Sequence, residues 1–402
     1  MNFYFYIAAV IITVQVMFLA LAYRNYRYAV NKYRKKRTGY RPRTALIVPC
    51  KGLDADFEKN IGSFFHQDYE NYLLYFVVGD KSDPAYETLH QLKQQLRGTS
   101  KAVEVQVLVA GRAQSCSQKI HNLLYCYRNL GADTEVLAFA DSDARVRSDW
   151  LSCIVYPLRR AKIGAATGYR WFIPRRNNWA SLAMSAINAR VVQLLGNTPF
   201  NKAWGGSMAI RYDVFKGLGL DKIWPTALSD DLSLSYTVKK AGLKITFVPA
   251  CLVASYQSAT WRQLFEFGRR QFLITRINAP RTWWFGFCSC LYSVLALWAT
   301  AAVAAYQAAI SQKYFTFFTV VPFLFLAGQI LVAAFRQRTA VQLLSEYWRK
   351  MTFAVAADIL LPWLWSLVLL AIILSSAFGR TIKWRGIRYK LLSPTRTVVI
   401  GR

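Results

Sequence analysis

The sequence predicts an α/β domain combined with transmembrane helices, and three observations lead to this prediction. Of the 402 residues, 54% are hydrophobic, which is more than soluble domains usually carry. Short apolar runs alternate with helical patterns between residues 44 and 141, as in α/β proteins. Long apolar stretches lie near the N-terminus and after residue 282, and each can cross a bilayer as a helix.

The first element is an apolar stretch at residues 3–23, followed by a dense basic run. About 21 residues in a helix span roughly 31 Å, which matches the hydrocarbon core of a membrane. Since no small-residue cleavage site follows, residues 1–23 are predicted to be a retained transmembrane anchor. The basic juxtamembrane segment at residues 24–43 then places the next domain in the cytoplasm.

The charge balance indicates the class of partner. The chain has 51 Lys and Arg against 21 Asp and Glu, a formal charge of +30. Basic patches bind nucleic acids as well as anionic lipids, but the densest run follows an apolar span directly. We therefore expect a membrane and no nucleic acid. The seven cysteines form no C-x-x-C pair and the three histidines are scattered, which disfavours a disulfide framework or a zinc site.

The second part, residues 44–250, is predicted to be a cytosolic catalytic domain of alternating strands and helices. The predicted strands are residues 44–49, 73–78, 103–109 and 136–140, and the predicted helices are residues 57–67, 83–96 and 119–130. This alternation favours a mostly parallel sheet with right-handed crossovers. Ligands of such sheets bind beyond the carboxyl ends of the strands.

The last part contains a membrane-interface segment at residues 251–282, a C-terminal transmembrane region at 283–378 and a basic cytosolic tail at 379–402. Apolar stretches are predicted at residues 283–310, 314–335 and 352–378, with a short connection at 311–313. Four full crossings would place the basic tail outside. We therefore interpret Asp358 and Pro362 as marks of a broken or re-entrant segment in a multi-pass membrane protein.

Acidic residues stand where the predicted strands end. Asp80 follows the second strand, Asp141 and Asp143 follow the fourth, and Asp230 with Asp231 opens a later helical pattern. An Asp-x-Asp pair can present oxygens to Mg²⁺ or Mn²⁺, which also bind substrate phosphates. A separate carboxylate can deprotonate a hydroxyl. A chance Asp-x-Asp and a helix N-terminus at residues 230–231 remain the alternatives.

These acidic motifs carry a family resemblance. VVGDKSDPA (77–85), FADSDARV (139–146) and LSDDLSLSYTVKKAG (228–242) resemble the metal-dependent, inverting GT-A glycosyltransferases of family 2 and its relatives. More narrowly, the chain resembles the ceramide glucosyltransferases of family 21 through VPCKGLD (48–54), IGSFFHQDYENY (61–72), SQKIHNL (117–123) and TIKWRGIRYKL (381–391). The resemblance extends over about residues 1–391 and implies a Rossmann-like GT-A fold that binds nucleotide-diphospho-sugars.

The resemblance implies a role for each candidate residue. Asp231 would be the general base, and Asp141 with Asp143 would hold a divalent cation, Mg²⁺ or Mn²⁺, and the UDP diphosphate. The nucleotide of a UDP-sugar would contact Lys51, Asp54, Asp80, Lys119 and Asp141. The acceptor or the diphosphate would contact Trp204, Gly205, Gly206, Asp230, Arg269, Arg270 and Gln271. For Lys51, Asp54 and Lys119, a solvated surface position is the alternative.

One segment departs from the family pattern. The family has a (Gln/Arg)-x-x-Arg-Trp motif, and the matching residues here are Gly268-Arg269-Arg270-Gln271-Phe272. Glutamine replaces the arginine and phenylalanine replaces the tryptophan. A shift of one turn or less would let Arg269 or Arg270 supply the missing charge. Alternatively, these arginines snorkel at a membrane surface.

The predicted activity is transfer of a hexose, glucose from UDP-glucose, to the hydroxyl of a lipid acceptor such as ceramide. Alternatives of the same fold are a hopanoid N-acetylglucosaminyltransferase and a glycosyl diacylglycerol synthase. A processive polysaccharide synthase would keep the arginine motif, and a catalytically dead lipid-binding homologue would lack the acidic residues. Because the acids are present, we expect an active enzyme that binds a UDP-sugar and a lipid at the membrane.

Overall fold

The computed structural model of the protein describes residues 2–35, 37, 39–54, 56–114, 116–311, 317–384 and 386–401. The helices are α1 (Asn2–Tyr33), α2 (Phe57–Phe65), α3 (Pro84–Gln95), α4 (Gln118–Arg128), α5 (Trp150–Val155), α6 (Trp179–Gln193), α7 (Tyr212–Gly217), α8 (Leu220–Ile223), α9 (Asp230–Lys240), α10 (Trp261–Asn278), α11 (Pro280–Ser311), α12 (Phe317–Leu343), α13 (Trp348–Leu360) and α14 (Pro362–Ser375). The strands are β1 (Thr44–Pro49), β2 (Tyr72–Val78), β3 (Glu104–Val109), β4 (Val136–Ala140), β5 (Ile163–Pro174), β6 (Ser207–Arg211), β7 (Lys244–Gln257), β8 (Thr381–Trp384), β9 (Ile387–Ser393) and β10 (Arg396–Gly401).

Among the described residues, seven strands form one mixed sheet in the order β3-β2-β1-β4-β6-β5-β7. Strands β1 to β4 are parallel, with Thr44 opposite both Tyr72 and Val136, and β6 is antiparallel to its two neighbours. The predicted α/β architecture is confirmed. Strands β5, β6 and β7 were not predicted from the sequence. Strand β5 is buried on both faces for most of its length, so its sequence lacks the alternation that marks a half-buried strand.

Helices cover both faces of the sheet because alternate strand residues point to opposite sides. Leu46 and Val48 pack with α2, α3 and α5 on one face. Ala45 and Ile47 pack with α4, α7, α8 and α9 on the other. This layering leaves the carboxyl ends of β1 and β4 at one open edge.

Within the part of the chain that the structure describes, three helices, α1, α11 and α12, are long and apolar enough to cross a membrane. Helices α13 and α14 meet at an angle of 86° across Leu361. Pro362 begins α14, and because proline lacks an N–H it cannot continue the preceding helix. The structure therefore has a break at the position that the sequence marked. Residues 312–313 of the predicted connection lie outside the described residues.

The long apolar helices and the sheet share one packed interface. Helix α1 continues to Tyr33 and carries part of the basic juxtamembrane segment as helix. Ala29 of α1 and Leu343 of α12 pack with Trp171 of β5 in one buried cluster. The aromatic ring of Tyr23 lies 5.4 Å from that of Phe335 of α12, centroid to centroid. These contacts hold the sheet against α1 and α12.

The C-terminal residues form a small antiparallel sheet, β10-β9-β8, where the sequence reading predicted only a tail. Tyr389 and Leu391 are buried and alternate with exposed basic residues, the pattern of a strand with one covered face. They pack with Leu273 and Ile274 of α10. Strand β7 likewise extends the main sheet to Gln257, past the predicted domain boundary at 250. Arg385 lies outside the described residues.

Candidate active site

A cavity of about 640 Å³ opens at the carboxyl edge of the main sheet. Its walls come from the loops after β1 and β4, the start of α9, helices α1, α10 and α11, and the C-terminal sheet. The predicted site residues among its lining are Lys51, Asp54, Lys119, Asp141, Asp143, Trp204, Asp230, Asp231, Arg270 and Gln271. Folding therefore brings together residues that lie more than 200 positions apart.

Lys119 links two of the predicted acidic positions. Its Nζ lies 2.7 Å from Asp141 Oδ1 and 3.1 Å from Asp230 Oδ2. Burial by itself lowers the pKa of the ammonium, but Asp141, Asp230 and Asp231 outweigh burial and raise it above its ordinary value. Lys119 is therefore a charged residue of the site, and the solvated-surface alternative is not what the structure shows.

Asp230 is buried behind this lysine. Burial raises the pKa of its carboxyl to about 6, although the Lys119 ammonium opposes this shift. Its Oδ2 atom is buried and accepts no aligned hydrogen bond from the residues that the structure describes. Because Lys119 also pairs with Asp141, its single charge is shared between two carboxylates.

Asp231 is held by hydrogen bonds at the start of α9. Its Oδ2 accepts a bond of 3.0 Å from the Gly205 backbone N–H, and its Oδ1 accepts one of 2.7 Å from the Leu232 N–H. The Ser229 hydroxyl donates to Oδ1 and also caps the helix. The carboxylate thus has a defined orientation while lining the cavity.

Gly205 and Gly206 allow the backbone to approach these carboxylates closely. A Cβ on Gly205 would lie 2.3 Å from Asp230 Oδ2 and 2.6 Å from Lys119 Nζ. A Cβ on Gly206 would lie 2.6 Å from Asp141 Oδ2 and closer still to the Trp204 ring. Only glycine fits at both positions without displacing the site.

We expect Gly205→Ala to reduce glycosyl transfer by about 100-fold, because a displacement of about 1 Å in an active site has effects of this size. The rate of nucleotide release measures the loss. Gly217→Ala is the matched control, since a Cβ there meets nothing within 4 Å. Equal activity of the two variants would show that residue 205 tolerates a side chain.

Asp141 and Asp143 both line the cavity, and carboxylates of this kind are ligands that a divalent cation takes. Burial, followed by the Asp141 charge, raises the pKa of Asp143 to about 6, so the two carboxylates would gain from a nearby cation. Among the described residues, no three His, Cys, Asp or Glu side chains are grouped to hold a metal. Mg²⁺ and Mn²⁺ commonly take one or two carboxylates and complete their ligands with phosphate oxygens and water.

The other predicted nucleotide residues differ in position. Lys51 and Asp54 line the cavity. Asp80, by contrast, is not among its lining residues: its Oδ1 accepts a 3.0 Å bond from the Ser82 N–H, and its Oδ2 lies 3.6 Å from Arg112. Asp80 thus follows β2 at the same edge of the sheet without facing the cavity.

The altered motif lies on α10. Arg270 and Gln271 line the cavity, whereas Arg269 faces the end of α14. Arg269 donates hydrogen bonds to the carbonyl oxygens of Ser375 at 3.0 Å and Phe378 at 3.3 Å. Of the two arginines considered as replacements, the structure brings only Arg270 to the cavity.

Several lining residues were missed by the sequence reading. They are Leu21, Arg24, Arg170, Arg281, Phe285, Trp384, Ile387 and Tyr389. The last three lie within the TIKWRGIRYKL segment, which carried the family resemblance without an assigned role. Nothing local distinguishes the others, because only long-range packing brings α1, β5 and α11 to the same cavity.

Comparison with known proteins places the chain in a family. Residues 10–397 match the model described as glycosyl transferase family 21. The mannosyltransferase PcManGT from Pyrobaculum calidifontis, solved with GDP-Man and Mn²⁺, is similar at 15% identity and a TM-score of 0.46, over 92% of this chain and 97% of that one. The transferase GalNAc-T7, solved with UDP, GalNAc and Mn²⁺, is similar at 13% identity and a TM-score of 0.40, over 58% and 51%.

The family match runs from within α1 to the start of β10 and so covers the α/β domain and most of the apolar helices and C-terminal sheet. The predicted GT-A class is thereby confirmed, since the mixed sheet with helices on both faces is the architecture that the resemblance implied. The chain belongs to glycosyl transferase family 21.

Proposed function

We propose that the protein transfers a hexose, glucose from UDP-glucose, to the hydroxyl of a membrane lipid such as ceramide. One observation carries this proposal: a single cavity joins the carboxylates at the sheet edge to apolar side chains of helices that can cross a membrane. A water-soluble sugar nucleotide and a lipid hydroxyl would meet at such a boundary.

The charged part of the lining suits the donor. It includes Lys119, the pair Asp141 and Asp143, and Lys51 with Asp54. We assign the UDP diphosphate to Lys119 and to a Mg²⁺ or Mn²⁺ ion on the two aspartates. When bound, the cation offsets the negative charge that grows on the leaving nucleoside diphosphate.

The chemical step needs a base beside the donor. In our proposal Asp231 accepts the proton of the lipid hydroxyl while its oxygen attacks the anomeric carbon of the sugar. The bond from that carbon to the β-phosphate oxygen breaks, UDP leaves with the electron pair, and the configuration inverts. The hydrogen bonds from Gly205 and Leu232 would keep the accepting oxygen directed at the cavity.

The apolar part of the lining suits an acyl or sphingoid chain. It includes Leu21 of α1, Leu194 after α6 and Phe285 of α11. Arg24 of α1 and Arg281 of α11 also line the cavity, and a membrane surface would hold their charges. We propose that the lipid enters from the bilayer between these helices, with the catalytic domain on the cytoplasmic side.

Mass spectrometry of lipids from cells that produce the wild type or Asp231→Asn tests the proposal. A new lipid heavier by one hexose than ceramide, present only with the wild type, is the expected result. A mass increase of an N-acetylhexosamine, or a hopanoid or diacylglycerol acceptor, would replace the substrate assignment. Long polymer would indicate a polysaccharide synthase. If neither protein changes the lipids or releases UDP in a lipid extract, the proposed activity is wrong.

A further inference from the structure

The site lacks an arginine where the family motif would supply one for the diphosphate. Gln271 stands at that position, and Arg269 donates its hydrogen bonds to the end of α14. Lys119 is already shared between Asp141 and Asp230. A nucleoside diphosphate carries at least two negative charges, so an arginine of the cavity would add to its binding beside Lys119 and the divalent cation proposed above.

Arg170 of β5 is another cation in the lining of the cavity. Its guanidinium carbon lies 4.7 Å from the ring centroid of Phe172, 5.6 Å from that of Trp204 and 5.3 Å from that of Phe267. The side chain lines the cavity together with Asp143. Within the described residues, Arg170 makes no hydrogen bond and has no carboxylate within ion-pairing distance.

This environment orients the guanidinium without using its donors. Aromatic rings contact the face of a guanidinium, whereas its five N–H groups point outward in its plane. Those donors match two phosphate oxygens at once, which a lysine ammonium cannot do.

We propose that Arg170 binds the β-phosphate of the nucleotide donor and takes the place of the missing motif arginine. The proposal rests on the proposed function, because it assigns a ligand of the same site. Arg270 lies 5.5 Å from the Phe267 centroid and also lines the cavity, so two arginines from β5 and α10 flank one ring. The alternative is that Arg170 stacks on the rings and has a purely structural role, and the experiment must distinguish the two.

Isothermal titration calorimetry distinguishes a phosphate-binding role of Arg170 from a purely structural one. The full-length protein in detergent is titrated with UDP or with UMP in the presence of Mg²⁺. UMP lacks the β-phosphate, so loss of Arg170 should change only the affinity for UDP. We expect Arg170→Gln to weaken UDP binding by about tenfold or more, the effect of losing a charged hydrogen bond. Binding of UMP should stay within about twofold of the wild type.

Arg159→Gln is the matched control, because Arg159 also stacks on a ring, that of Tyr156 at 3.6 Å, and does not line the cavity. It should bind UDP as the wild type does. Arg170→Lys keeps the charge without the fork and should bind UDP with intermediate affinity. Thermal unfolding shows whether each variant folds. If Arg170→Gln does not fold, the UDP affinity of Arg170→Lys decides the test.

The outcomes separate the two proposals. If wild-type protein does not bind UDP, the proposed function itself fails. If the wild type binds UDP and a folded Arg170 variant binds it equally well, the assignment of Arg170 is wrong. An equal loss of UDP and UMP affinity would also overturn the β-phosphate contact.

Discussion

Asp231→Asn is expected to lower glycosyl transfer by about 10²–10⁴-fold, the usual contribution of a general base, while donor binding stays nearly unchanged. Asparagine has the shape of aspartate but cannot accept the acceptor proton. Its amide oxygen can retain the Gly205 N–H, and the Leu232 N–H keeps a second partner in Ser229 Oγ at 3.2 Å. The helix should therefore remain in place.

The rate of UDP release in the presence of a lipid acceptor measures the loss of transfer. The affinity for UDP measures whether donor binding is kept. Asp213→Asn is the control, because that carboxylate is 77% exposed and does not line the cavity. It should keep the activity of the wild type. Full activity of Asp231→Asn would remove the base assignment, whereas loss of UDP affinity would show that Asp231 acts on donor binding.

Asp358→Ala is expected to lower the free energy of unfolding by about 3–5 kcal/mol, the cost of leaving one member of a buried ion pair without its partner. Asp358 of α13 accepts two bonds of 2.7 Å from Arg336 of α12, and both side chains are at most 4% exposed. Arg336 also donates to Gln193 of α6 at 2.6 Å. The pair therefore joins the apolar helices to the catalytic domain.

Unfolding in mixed detergent micelles, followed by tryptophan fluorescence, measures this change. Glu266→Ala is the control, because Glu266 forms a surface pair with Arg262 at 2.9 Å and should cost at most about 0.5 kcal/mol. The double variant Arg336→Met with Asp358→Leu should recover most of the stability, since no charge is then left unpaired. A loss from Asp358→Ala as small as that from Glu266→Ala would contradict the prediction.

The sequence patterns located the parallel half of the sheet well. Strands at residues 44–49 and 136–140 agree with β1 and β4, because both are short apolar runs bounded by polar residues. Strands β5 and β6 were missed because, like β1 and β4, they lack alternation, but polar residues and glycines also interrupt their apolar runs. The C-terminal sheet was missed because the many basic residues at 379–402 led to their interpretation as a cytosolic tail.

The candidate site likewise contains residues that local motifs indicate and residues that only long-range contacts bring in. Asp141, Asp143 and Asp231, which line the cavity, were selected from the sequence because acids at strand ends and helix starts form local motifs. Asp358 was interpreted as a break in a membrane segment, and the structure adds its partner Arg336. That partner is 22 positions away and no local pattern connects the two. Arg170 gave no signal at all in the sequence.

By itself, the sequence determined the α/β class, the apolar helices, the family and the acidic residues, because periodicity and short motifs are local properties. Only the tertiary structure decided that Arg269 turns to α14 and Arg270 to the cavity, and that α1, α11 and the C-terminal sheet complete one site. These features depend on contacts between residues far apart in the chain, whose positions are set by packing of the whole molecule.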